Sequence, residues 1–146
     1  MAGFGTIYNI AASAMSANRL RINTIASNLA NANTTRTEGG GPYQRRDVVF
    51  QATDIRDSSF ESTLDRASLK GVQVSEVTAD PTPGKLVYDP GHPDADPKGY
   101  VTMPNINPVT EMVNMLGASN AYKASAEVAS ITQKMASSLK QLASRF

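Results

Sequence analysis

His92 is the only histidine in the chain, and it stands among Asp89, Asp94 and Asp96 in "DPGHPDADPKGY", residues 89–100. Imidazole and carboxylates are competent metal ligands, so this is the stretch whose residue types could do chemistry. Three prolines and a glycine within residues 89–97 make it first a rigid turn. Catalysis by His92 has no support, because no serine or cysteine nucleophile sits near a recognisable elbow. The run Gly39-Gly40-Gly41 lacks the Lys-Ser/Thr that completes a phosphate loop and reads as a hinge between a helix and a strand. Arg45-Arg46 reads as a solvated strand face rather than a phosphate site. The sequence therefore assigns no catalytic, cofactor or metal residue. What remains is packing chemistry, and that depends on the elements carrying it.

The chain has 146 residues, 40% hydrophobic and 18% charged, with a formal net charge of +1. That length suffices for one domain with a modest core. Near-neutral balance gives no electrostatic reason to expect nucleic acid or an acidic membrane as partner. There is no cysteine, which excludes disulfides and thiolate sites and suits a chain that crosses redox compartments. No apolar run reaches the length of a membrane span. The first basic residue is Arg19, so the charged start of a cleavable signal is missing and any export is expected to use another route.

Helix breakers divide the chain in three: residues 1–35, 36–107 and 108–146. All eight prolines lie between Pro42 and Pro108, and the ends are nearly free of them. The middle carries eight basic and eleven acidic groups, a net of −3, against a positive balance at both ends. In the first segment Phe4, Tyr8, Ala11, Met15, Asn18, Ile22, Ile25 and Leu29 recur at steps of four and three, a heptad seam with one polar position. The spacing predicts a helix with Thr6 as N-cap, ending near Asn33. In the last segment Asn107-Pro108 predicts a cap and first helical residue. Met112, Leu116, Asn120, Ala124, Val128, Ile131, Met135, Leu139, Leu142 and Phe146 follow as a second stripe, again broken by one asparagine. Glu111 is placed to suit the helix dipole.

A helix from 108 to about 144 would be roughly 55 Å long at 1.5 Å per residue. A compact domain of this size is only about 40 Å across. The helix outruns the domain, so part of its apolar stripe needs another chain for cover. An oligomer or polymer of long helices follows, with the two ends of the chain paired as a coiled coil. The middle predicts short strands at Arg45–Gln51, Gly71–Thr78, Lys85–Tyr88 and Tyr100–Met103, with turns at Asp80-Pro81, Pro83-Gly84 and Asp89-Pro90-Gly91. Residues 52–70 read as a charged, solvated loop or hairpin tip. The fold class expected is mainly α, with a small β-hairpin-rich middle.

Seven residues carry a resemblance. In "SAMSANRLRINTIASNLANANTT", residues 13–35, Ser13, Leu20, Asn28, Leu29, Ala30, Asn31 and Thr34 match the N-terminal signature of bacterial flagellar axial proteins, the rod, hook and filament-junction family. "TEGGGPYQRR" (37–46), "VYDPGHPDADPKGYVTMPNINPVTEMVNM" (87–115) and "ASNAYKASAEV" (118–128) look like the proximal rod proteins of the C type. The resemblance implies a structural subunit of the flagellar basal body, not an enzyme and without cofactor. It implies polymerisation in the periplasm into a helical tube that transmits torque and encloses the export channel. It also implies exit through the flagellar type III export apparatus, uncleaved. Partners would be further copies of the chain, other rod proteins and the protein joining rod to export gate, with no span of the membrane.

Under this reading Met15, Asn18, Ile22, Ile25, Asn28, Leu29, Asn31, Met112, Leu116, Asn120, Val128, Ile131, Met135, Leu139 and Leu142 are assembly and packing residues. Gly39, Gly40 and Gly41 form the hinge. Asn18 and Asn120 would fix register, as polar residues in a seam do. Asn28 and Asn31 would bond neighbouring backbone at the helix end. The competing readings are a self-contained helical adaptor and a metal-binding enzyme using residues 89–96.

Overall fold

The computed structural model describes residues 2–55 and 69–144, with the side chains of 2 and 3 excepted. Two long helices enclose the sequence: α1, Ala2–Ala30, and α2, Pro108–Ala143. Between them lie β1 (Arg46–Asp54), β2 (Lys70–Ala79), β3 (Lys85–Tyr88) and β4 (Tyr100–Met103). They form two separate two-stranded antiparallel pairs, β1 with β2 and β3 with β4. The expected class, mostly helical with a strand-rich middle, is what the chain adopts. The strands fall where alternation and turn residues placed them, with β1 and β2 longer than expected. Residues 52–54, expected to be loop, continue β1. Lys70, at the other end of that expected segment, begins β2, and its residues 56–68 lie outside the described residues.

Helix α1 begins at Ala2, so Thr6 lies inside it rather than capping it. Gly3 and Gly5 weaken a helix without stopping it. The other end is wound down by Asn31. Its amide donates to Ser27 O (2.9 Å) and its Oδ1 accepts from the Thr34 hydroxyl (3.2 Å). The Ala32 N–H has slipped to the shorter bond with Leu29 O, at 3.3 Å. Asn107 caps α2 as its position before proline predicted, its Oδ1 accepting from the N–H groups of Val109 (3.0 Å) and Thr110 (3.4 Å).

The glycine run forms a closed turn. Thr37 N donates to Gly41 O and Gly40 N donates back to Thr37 O, both at 2.9 Å. Tyr43 N then reaches Thr34 O at 3.0 Å, so the chain doubles back. Gly40 and Gly41 hold φ at 80° and 75°, which side-chain-bearing residues avoid. In the β3–β4 ribbon Lys85 pairs with Met103 and Tyr88 with Tyr100. A Cβ on Gly84 would overlap the carbonyl oxygen of Met103, so that close approach requires glycine.

The chain gathers into two compact units, one drawn from residues 1–20, 50–75 and 118–146, the other from 21–49 and 76–117. In the first, the buried ones among the described residues are small: Ala11, Ala17, Gly71, Ala118 and Thr132. Here Ser13 Oγ donates to Ile10 O (2.7 Å) and accepts from Val72 N (3.1 Å), pinning the start of β2 to α1. A shallow groove in this unit is lined by Tyr8, Ala12, Met15, Ser16 and Arg19 of α1 with Tyr122 and Ala129 of α2. In the second unit Ile25, Val48, Val101 and Ile106 are buried together with Asn28 and Glu111.

Candidate functional site: an exposed apolar stripe and a buried polar cluster

A helix longer than its own chain can cover must leave a face for something else, and α2 does. Met112, Leu116, Val128, Ile131, Met135, Leu139 and Leu142, the stripe read from the sequence, are each between 46% and 63% exposed. Asn120 in the same stripe is exposed too. The sheltered positions of α2, with Asn114, Ser119, Ala126 and Ser130 beside them, instead include Glu111, Met115, Ala118, Tyr122, Ser125, Ala129, Thr132 and Ala136. They too recur at four and three, so the helix carries two seams, one of large residues outward and one of mostly small residues inward. The inner seam is legible only if small residues at heptad spacing are counted as a packing face. Along α1, Ile25 and Asn28 are buried, while Met15, Asn18, Ile22, Leu29 and Asn31 are half-buried. The Asn18 amide donates to Ala14 O of its own helix at 2.8 Å.

The most enclosed polar group in the described chain is Asn28, with no exposed surface. Its Nδ2 donates to Arg46 O (2.7 Å) and to Glu111 Oε2 (3.0 Å). Its Oδ1 accepts from Arg46 N (2.9 Å) and from the Tyr43 hydroxyl (3.3 Å). The amide thus takes both backbone groups of Arg46, as a neighbouring strand would, and its two donors and two acceptor sites are all used. Glu111, 1% exposed, receives Arg45 Nε on its other oxygen at 3.0 Å. Arg45 also meets Asp47 at 3.1 Å and sends its backbone N–H to Asn105 Oδ1 at 3.1 Å. Burial opposes the charge on Arg45, but the hydrogen bonds and charges of Asp47 and Glu111 outweigh it and hold its pKa above the usual value.

Arg45 is therefore no part of a solvated strand face, as the sequence suggested, though its neighbour Arg46 is exposed and lies over the Tyr43 ring at 5.9 Å. Glu111 does more than complement a dipole: it is the buried joint between α1, the start of β1 and α2. Sequence reasoning could not see this, because the partners are separated by 83 and 66 residues.

The loop at 89–96 spends its polar groups on itself. Asp89 Oδ1 accepts from Gly91 N, His92 Nδ1 from Asp94 N, and Asp96 Oδ1 from Lys98 N and Tyr100 N, at 2.8–3.2 Å. Asp94 is bound by the Thr35 hydroxyl at 2.8 Å and by Arg36 at 3.4 Å. Among the described residues no three metal-ligating side chains converge. Each acid ties a turn, and Asp94 ties the loop to the segment after α1.

Comparison with known proteins adds identity to this geometry. A model of the flagella basal body rod protein family matches residues 9–36. A model described as flagellar basal body rod FlgEFG protein C-terminal matches residues 98–142. The flagellar basal-body rod protein FlgC of Borreliella burgdorferi is 40% identical over 91% of this chain and 93% of its own length. That of Escherichia coli O157:H7 is 43% identical, over 88% and 90%. That of Bacillus subtilis is 37% identical, over 87% and 89%. The chain belongs to the FlgC family of flagellar basal-body rod proteins. Its role is structural, a subunit of the rod, and the family is not one of enzymes. Its place is the flagellar basal body, among other rod components. Among the described residues no helix is long and apolar enough to cross a membrane. The two rod-family matches fall on the two helices: the first contains Asn28 and Asn31, the second β4, Glu111 and the exposed stripe of α2.

Proposed function

We propose that this rod subunit polymerises through its two terminal segments, 1–35 and 108–146, which pair as a coiled coil and pack side by side with those of further copies. The result is a helical tube of the proximal rod that encloses the export channel and transmits torque. The observation carrying this reading is the stripe Met112 to Leu142, large, apolar and open to water along most of α2. Such a surface is a poor one to leave wet on a lone chain, and it is continuous enough to bury against identical neighbours. The segment 36–107 faces outward and meets the next subunit or the next rod protein. Leu86, Tyr88 and Tyr100, exposed on the β3–β4 ribbon, are its candidate contacts. The subunit reaches the periplasm through the flagellar type III export apparatus without a cleaved signal, and it meets the protein joining rod to export gate there. The test is Leu142→Glu in a motile host. A carboxylate buried in each interface would cost several kcal/mol per subunit, repeated along the polymer. Monomer solubility and secretion are expected to be unchanged and rod assembly lost; a motile mutant would refute the proposal.

A further inference from the structure

The sheltered faces of the two helices carry little information about where they should stop. Moving α2 by one heptad, about 10 Å along its axis, would replace Ala118 by Ser125, Ser125 by Thr132 and Ala129 by Ala136. The larger size changes fall at Tyr122, replaced by Ala129, at Thr132, replaced by Leu139, and at Glu111, replaced by Ala118. On α1 Ala11, Ala14 and Ala17 are equally uniform, set among larger sheltered residues such as Met15, Ile22 and Ile25. Small residues let helices approach closely, but they do not distinguish one register from the next.

The cluster at Asn28 does distinguish them. It occurs once along the pair, Asn28 and Glu111 in it are closed to water with Arg45 largely covered, and each member is held by partners from two other parts of the chain. A slip of α2 by one heptad would take the Glu111 carboxylate away from Asn28 and Arg45, leaving a buried acid and a largely covered guanidinium without each other, a costly mismatch in a packed region. Slipped pairings of the small seams lack such a penalty.

We infer that Asn28, Glu111 and Arg45 form a register lock. They are positioning residues that fix the axial offset of α2 on α1 and make it depend on the start of β1 being in place. This rests on the proposal that the two helices pair. It goes beyond that proposal by naming what selects one pairing among several. Through Arg45 and Arg46 the lock also ties the helices to the middle segment, so a chain whose middle has not folded has no defined register to offer a growing polymer.

The native chain has no cysteine, so introduced pairs are its only thiols. Ala12 and Ala129 line the same groove and report the native offset. Ala12 with Ala136, and Gly5 with Ala129, report slips of one heptad in the two directions. Each double-cysteine chain is treated with a short bis-maleimide, as purified protein and in isolated basal bodies. In the native background the Ala12–Ala129 pair should crosslink almost alone. Asn28→Leu and Glu111→Leu should raise the slipped crosslinks at least about threefold, since a polar register device is lost while the apolar pairing remains. Glu111→Gln keeps one of the two acceptor oxygens and turns an amide N–H2 to the other donor, so it should raise the slipped crosslinks less than Glu111→Leu does. Native crosslinking in the leucine variants overturns the lock while leaving helix pairing intact. No crosslink at any pair in the native background overturns the pairing itself, and the lock with it. Loss of all helical circular dichroism in both leucine variants also counts against the lock, because a register device leaves helix content in place.

Discussion

At the scale of single residues the strongest constraints are polar. Asn28→Leu is close to isosteric, yet it removes four hydrogen bonds, leaving the buried Glu111 Oε2 and the partly buried N–H and C=O of Arg46 without this partner. Each stranded group costs about 1–3 kcal/mol, so a loss of roughly 3 kcal/mol is expected in urea unfolding of the free chain. A loss under 1 kcal/mol would mean that the site opens to water readily. Gly84→Ala places a methyl group on the Met103 carbonyl and should disrupt the Lys85–Met103 end of the β3–β4 ribbon, read as lost amide protection at Leu86 and Thr102. Asp80 gives a small pH effect of known sign. The Thr82 hydroxyl and its backbone N–H hold the carboxyl below the usual carboxylate range. Its contribution is present above the unfolded pKa and is lost as pH falls through the lower folded one; full exposure keeps it slight. His92, bonded only within its own loop by its Nδ1, is expected to be dispensable for export, and His92→Ala to weaken assembly moderately at most.

At the scale of elements, the turn after α1 is geometrical. Gly40 and Gly41 occupy the left-handed region in a turn closed at both ends by Thr37. Alanine there costs about 1–2 kcal/mol at each position. The Gly39–Gly41 triple alanine variant is therefore expected to misdirect the chain between α1 and β1, disturb the Arg45 and Arg46 contacts, and lower rod yield. Normal motility in that strain would show that the turn has other solutions. Helix α2 illustrates how two seams share one element. The inner seam of mostly small residues permits close approach; the outer seam of large ones is left for a neighbour. Reading only large apolar residues finds the second and misses the first.

For the molecule as a whole, the free chain should be unevenly stable. Isolated helices are marginal in water and gain most of their stability from a buried apolar face. Between Ala118 and Ala143 the large side chains of α2 face water and the sheltered ones are mostly small. Hydrogen exchange on dilute monomer should therefore find these amides fast. Amides at 24–28, 101–103 and 111–114, around the polar cluster, should be slower by at least about tenfold. Uniformly strong protection along α2 in the monomer would favour a self-contained helical fold over a subunit completed by assembly.

The sequence by itself determined the elements. Proline and glycine placement, heptad spacing and the Asn107-Pro108 cap fix two helices and four short strands, because each depends on neighbours in the chain. It also determined the family, through the asparagine-rich end of α1 and the matching segments of the middle and α2. The tertiary structure decided which face of each element is used. Nothing local in "PVTEMVNM" distinguishes Glu111, buried, from Met112, exposed; that follows from Asn28 and Arg45 arriving from far along the chain. A buried charge is stable only where its partners converge, and convergence is a property of the folded chain alone.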